Sequence, residues 1–121
     1  MYSGQSLPVV VQDANFSDVI CTISSKKLGI GIVVDDKGNL SGMVTDGDLR
    51  RACDKFGPNV FSKKTIDIMT HGPKTINVDA LAYSALEMME NFNITSLVVV
   101  NDQIPVGVIH IHDLIKAGIK G

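Results

Sequence analysis

Gly42-Met43-Val44-Thr45-Asp46-Gly47-Asp48-Leu49 returns sixty-five residues later as Gly107-Val108-Ile109-His110-Ile111-His112-Asp113-Leu114. Upstream, Asp13-Ala14 opens a helical stretch that runs into the apolar block Ile30 to Val34. Sixty-six residues further on, Asp79-Ala80 opens another, which runs into Leu97 to Val100. The offset falls by one between the apolar blocks and the glycine-led stretches, so one residue is lost in the polar turn between them. A unit written twice predicts two similar lobes related by a pseudo-twofold axis, with sites in the crevices between them.

Each copy reads as strand, helix, strand, strand, helix. Val9 to Val11 predicts a short strand, and Asp13 the N-cap of a helix with Phe16, Val19, Ile20 and Ile23 at helical spacing. Ile30 to Val34 and Leu40 to Val44 predict a hairpin around Asp35-Asp36-Lys37-Gly38-Asn39, which lacks the terminal Glu of a calcium loop. From Asp46 a second helix places Leu49, Ala52, Cys53 and Phe56 on one side. In the second copy Thr75 to Val78 is a strand. Asp79 caps a helix with Leu81, Ala85, Leu86, Met89 and Phe92, and the hairpin turns at Asn101-Asp102-Gln103. The last helix starts near His112. The fold class is therefore α+β, with the helices on one face of each hairpin, and no G-x-G-x-x-G follows a strand. The boundaries are residues 7–56, a linker at 57–64, and 65–119, with Thr65 to Met69 as a helical turn docking ahead of the second copy.

At 121 residues the chain is one domain's worth of protein, and half of it is marginal for a private core, so the halves are expected to share one. A hydrophobic content of 45% and the absence of Trp make that core aliphatic. A net charge of -2, with scattered charges, argues against a nucleic-acid surface. Cys21 and Cys53 fall at apolar helical positions and read as reduced core residues of a cytoplasmic protein. No apolar run reaches the roughly 18 residues of a membrane span, and no signal peptide is visible.

The chemistry concentrates where strand meets helix. In Gly42-x-x-Thr45-x-x-Asp48, Thr45 can cap the helix while Asp48 completes a capping box. The same geometry can hold a nucleotide. Free N–H groups and the Thr hydroxyl suit a phosphate, and a carboxylate, which only accepts hydrogen bonds, suits a ribose diol. In the second copy Thr45, Asp46 and Gly47 become His110, Ile111 and His112, while Asp113 keeps the place of Asp48. His110 is not expected to cap as Thr does. It is read either as a junction histidine bonded to backbone or as a contact to an anion. His110-x-His112 would need further ligands to hold a metal, and no metal site is expected. Arg50 and Arg51 sit in the first turn of a helix, the unfavourable end for cations, and read as solvated residues or as contacts to an anionic partner. No nucleophile–base pair and no acid–base carboxylate pair is legible, so no catalytic residue is assigned.

The order of elements, the Gly-h-h-Thr-x-x-Asp-Leu junction (h apolar), and Ile66-Asp67-Ile68-Met69-Thr70 ahead of Pro73-Lys74-Thr75-Ile76 resemble a tandem cystathionine β-synthase (CBS) domain pair. The resemblance runs from about Leu7 to Ile119. It implies binding of adenosine nucleotides or related ligands in clefts between the repeats, and regulation of an attached protein. Thr45-Asp46-Gly47-Asp48-Leu49-Arg50-Arg51-Ala52 and His110-Ile111-His112-Asp113-Leu114-Ile115-Lys116-Ala117-Gly118 more narrowly resemble the C-terminal CBS pair of bacterial D-arabinose 5-phosphate isomerases. Those enzymes carry a sugar-isomerase domain ahead of the pair and serve lipopolysaccharide synthesis through the sugar Kdo.

This resemblance implies a non-enzymatic regulatory fragment whose parent is an aldose-ketose isomerase. Thr45 and Asp48 would anchor one site, and His110 and Asp113 the other. Thr75 would touch a ligand base and Ser96 a phosphate, although each also reads as an ordinary strand residue. The ligand implied is CMP-Kdo, which offers a ribose, a phosphate and a carboxylate, or an adenine nucleotide. The resemblance also implies a homodimer through the helices, which leaves open a ligand-free dimerisation scaffold. Neither nucleic acid nor membrane is an expected partner, and no cofactor is expected.

Overall fold

A computed structural model describes residues 7–26, 29–80, 82–116 and 118. In chain order the elements are β1 (Val9–Val11), α1 (Phe16–Lys26), β2 (Ile30–Val34), β3 (Leu40–Thr45), α2 (Asp46–Phe56), a 3₁₀ helix (Gly57–Ser62), α3 (Thr65–Ile68) and β4 (Thr70–His71). They continue with β5 (Thr75–Asn77), α4 (Ala82–Phe92), β6 (Ser96–Asn101), β7 (Ile104–His110) and α5 (Ile111–Lys116). The chain divides into two compact units. One is Pro8–Pro73, and the other joins Leu7 to the described residues from Lys74 onward. No helix among the described residues is long and apolar enough to cross a membrane.

Both units follow the β-α-β-β-α order that the sequence implies. β1 runs parallel to β2, β2 and β3 form an antiparallel hairpin, and β4 adds to the far side of β3. In the second unit β5 runs parallel to β6, and β6 pairs antiparallel with β7. The duplication extends to irregularities: the ladder shifts register between Val33 and Val34, and again between Val99 and Val100. Pro105 is tolerated inside β7 because β7 is an edge strand.

The residue lost between the copies is lost in the hairpin turn. In the first, Val34 pairs with Leu40 and Asp35 to Asn39 form the turn. Asp35 Oδ1 accepts the N–H groups of Lys37 and Asn39 at 2.9 and 3.0 Å, and Gly38 supplies φ +85°. In the second, Asn101 pairs with Ile104, leaving only Asp102 and Gln103 at the tip, with φ 51° and 72°. Two consecutive positive φ values make this a tight turn whose twist matches the flanking strands.

Each unit packs its helices on one sheet face. Val10, Val33 and Val44 meet Val19 and Ile23 of α1 together with Met69, and Phe16, Ala52 and Val60 form a neighbouring cluster. In the second unit Ile76, Leu97 and Val99 meet Ala85, Leu86 and Met89 of α4 and Leu114 of α5. Strand alternation sends Ile30 and Ile32, and likewise Val98 and Val108, to the opposite faces. These residues are buried too, so the central strands are apolar throughout.

Several local expectations change. The cap of α1 is Asn15, whose Oδ1 accepts the Asp18 N–H at 3.0 Å, because Asp13-Ala14 is still turning away from β1 with Ala14 N–H on the Val11 carbonyl. Asp79 lies in a turn where its own N–H bonds to Asn77 Oδ1 at 3.0 Å, and Leu81 lies outside the described residues. Cys21 and Cys53 are exposed, since the buried stripes pass through Val19 and Ile23 on α1 and through Ala52 on α2. Phe92 is half exposed with the Lys74 ammonium 4.3 Å above its ring.

The segment 57–64, expected as a linker, holds the 3₁₀ helix and packs in the first unit through buried Val60. Thr65 is fully buried there. Its N–H and hydroxyl both donate to the Ala14 carbonyl at 2.8 and 2.9 Å, so α3 docks on the first unit. Gly42 is required by the same docking. A Cβ there would collide with Met69 Sδ and lie 2.9 Å from the Thr70 carbonyl oxygen.

Two substitutions test this account. Gly42→Ala is expected to lower stability by about 1–3 kcal/mol through overpacking. Gln103→Gly is expected to raise it by about 0.5–1 kcal/mol by relieving a left-handed backbone. Both effects are read as shifts of the urea midpoint at unchanged slope.

Candidate functional site

β3 delivers Thr45 to the start of α2 with φ -108° and ψ 170°, the extended geometry of an N-cap. Its Oγ1 accepts the Asp48 N–H at 3.2 Å, and Asp48 Oδ2 accepts the Thr45 N–H at 2.9 Å, which closes the capping box. The carboxylate does more than cap. It also accepts the Thr45 hydroxyl at 3.2 Å, the Arg51 Nη2 group at 2.7 Å, and the Thr70 hydroxyl at 3.1 Å from both oxygens. Asp48 is only 6% exposed, and these four donors match the roughly four lone-pair positions a carboxylate offers. The expected ribose ligand at Asp48 therefore meets a carboxylate already committed to the fold.

Thr70 and Arg51 are the residues the sequence reading missed here. Thr70 stood within the lead-in Ile66 to Thr70, but nothing local showed that β4 would bring it against a side chain twenty-two positions upstream. Arg51, expected in the first turn, is the sixth residue of α2, where it neutralises the buried Asp48 carboxylate across one turn while its own side chain stays 71% exposed. Arg50 is exposed. Next to this cluster, α2 and α3 enclose an open cleft of about 150 Å³ lined by Arg51, Lys55, Phe56, Asp67 and Ile68. It is smaller than the roughly 300–1,000 Å³ of typical ligand pockets. The ammoniums of Lys55 and Lys63 lie 5.2 and 4.5 Å from the Phe56 ring centroid.

The second junction keeps half of this device. Asp113 Oδ2 accepts the His110 N–H at 3.0 Å, as Asp48 does from Thr45. His110 is the junction histidine bonded to backbone, one of the two readings of the sequence, and it does not cap as Thr45 does. Its Nδ1 accepts the His112 N–H at 3.2 Å, reaching the second helical residue instead of the third. This works because Nδ1 stands where an Asn Oδ1 would, one bond further from the backbone than a Thr hydroxyl. The rings of His110 and His112 stack with centroids 4.8 Å apart at 17°. Among the described residues no group of three His, Cys, Asp or Glu side chains is placed to hold a metal ion.

Register brings the other expected residues to this junction. Ser96 pairs with His110 and Thr75 pairs with Val98, two positions along β6 from Ser96. Side chains of paired residues share a sheet face, so Thr75, Ser96 and His110 all lie on the face turned away from α4 and α5. Each is half-buried, as is Asp113. Among the described residues Asp113 accepts a hydrogen bond only from the His110 amide. The two junctions thus differ in kind: one carboxylate is saturated by its own fold, and the other is not.

The two units have the same α+β order and corresponding strand-to-helix junctions, the makeup of a tandem domain pair. The family model for the CBS domain matches residues 4–55 and 66–120, and the chain belongs to the CBS domain family. It is 38% identical over 119 residues to the arabinose 5-phosphate isomerase KdsD of Yersinia pestis and 40% identical over 120 residues to that of Pseudomonas aeruginosa. The match covers 98% of this chain and 36% of each relative, so the chain spans about a third of their length. Among solved structures, CBSX2 in complex with AMP superposes with a TM-score of 0.83 at 24% identity, covering 98% of this chain and 91% of that one. The CBS domain protein PAE2072 from Pyrobaculum aerophilum, complexed with AMP, gives 0.77 at 23% identity, covering 88% and 81%. At these identities both structures establish the fold alone.

The hydrogen-bond inventory makes a distinct prediction for each junction residue. Asp48→Ala is expected to lower stability by about 1–3 kcal/mol, since it strands Arg51, Thr70 and an N-cap amide together. Thr45→Ala is expected to cost about 0.5–2 kcal/mol. The double variant should cost less than the sum, because the two side chains share bonds. Chemical denaturation of the three variants measures this directly.

Proposed function

We propose that this chain is the ligand-binding regulatory module of a D-arabinose 5-phosphate isomerase, and that it takes an adenine nucleotide at the second junction. The observation that carries the ligand reading is the gathering of Thr75, Ser96 and His110 on one sheet face beside Asp113. The corresponding places in the first copy hold Val9, Ile30 and Thr45, so the second copy has exchanged two apolar groups for hydroxyls and a hydroxyl for an imidazole. Hydroxyl and imidazole N–H groups donate to phosphate oxygens, and the unsaturated carboxylate of Asp113 accepts from a ribose hydroxyl. The AMP complexes of two structures with this fold support an adenine nucleotide. The match to KdsD isomerases across 98% of this chain supports the isomerase context.

CMP-Kdo presents the same ribose and phosphate with an added carboxylate, and it belongs in the same experiment. Isothermal titration with AMP, ATP, S-adenosylmethionine, CMP and CMP-Kdo should show selective binding of an adenine nucleotide. Ser96→Ala and Asp113→Asn should each weaken it about tenfold, the equivalent of one charge-assisted hydrogen bond, while Thr45→Ala leaves it unchanged. Selective binding of CMP-Kdo would keep the site and move the regulator to the isomerase's own pathway. The rival reading is a ligand-free dimerisation scaffold, which the saturation of Asp48 favours. A folded protein that binds none of the five compounds would establish it.

A further inference from the structure

The second junction contains a helix cap that depends on a proton. His110 Nδ1 can accept the His112 N–H at 3.2 Å only while its lone pair is free, which fixes the neutral imidazole with its proton on Nε2. Protonation turns Nδ1 into a donor facing another donor. The ring then has to leave the cap, and the stack with His112, whose centroid is 4.8 Å away, adds repulsion once both rings are charged. A carboxylate waits beside it: Asp113 already accepts the His110 backbone N–H at 3.0 Å and has lone pairs left for an imidazolium. His112 and Asp113 on α5 are the titratable groups that meet His110, and its β6 pairing partner Ser96 is uncharged.

We infer that His110 is a proton-operated cap that holds the first turn of α5 when neutral and releases it when charged, a switch that the first junction lacks. Thr45 caps its helix at the third residue through a hydroxyl, which does not titrate in this range. Histidine side chains in general change charge between about pH 5 and 8, and the test spans that range. Release loosens the N-terminal turn of α5, while buried Leu114 keeps the helix on its core. The inference concerns the unliganded protein and does not rest on the nucleotide reading.

The test is heteronuclear NMR of the whole chain from pH 8 to pH 5. The His112 amide resonance should move in step with the His110 ring protons, and its exchange protection should fall about fivefold, the worth of one cap. His110→Thr installs the first junction's residue, which bonds the third helical amide instead of the second, and should abolish the pH response of the His112 amide. His112→Ala removes the stacked ring but not the amide, and should leave the response in place. A His112 amide that ignores pH in the native chain overturns the inference. So does a response that survives His110→Thr, which would assign it to the His112 ring instead.

Discussion

An aspartate three residues into a helix, accepting the backbone N–H of the residue just before that helix, holds three corners of this protein in place. Asp48 does this for Thr45, Asp67 for Lys64 and Asp113 for His110, at 2.9, 2.9 and 3.0 Å. The bond satisfies an amide that neither the ending element nor the starting helix can reach, and it places negative charge at the positive end of the helix dipole. In the two hairpin units it also fixes the angle at which the last strand turns into the covering helix. Helix packing on the sheet, and with it the apolar face of Ala52 or Leu114, depends on that angle.

One device used twice has been given different additions. In the first unit it is reinforced: Arg51 and Thr70 fill the remaining valences of Asp48 and tie α2 to β4, while Thr65 ties α3 to the start of α1. That corner behaves as a structural lock. In the second unit the carboxylate keeps spare capacity, the hydroxyl cap becomes an imidazole, and the neighbouring strand positions gain Thr75 and Ser96. In a duplicated fold, therefore, one copy of a carboxylate can be saturated while the other keeps lone pairs free.

Much of this was legible in the sequence because it is local. The repeat, the order of elements, the hairpins and the Thr45–Asp48 capping box follow from spacing and turn chemistry over a few residues. What was misread depended on distant partners. Cys21 and Cys53 looked like core residues because they sit near apolar stripes, yet each falls just outside its buried stripe. The stretch 57–64 lies between the two family matches, as the linker reading has it, but its packing was not foreseen: Val60 is buried against Phe16 and Ala52. His110 was open between a backbone bond and an anion contact, and the backbone bond, made with a reach one bond longer than that of threonine, shows only once the backbone is placed.

The sequence by itself determined that there are two β-α-β-β-α units, where their strands turn into helices, and which side chains stand at those turns. Periodicity and capping act between residues at most a few positions apart, so they are written in order along the chain. Only the tertiary structure decided which carboxylate is free. Asp48 is filled by Thr70, which strand pairing brings to it, and Thr75, Ser96 and His110 share a face because of sheet register. Such relations are set by pairing between segments, and no local pattern of residues encodes them.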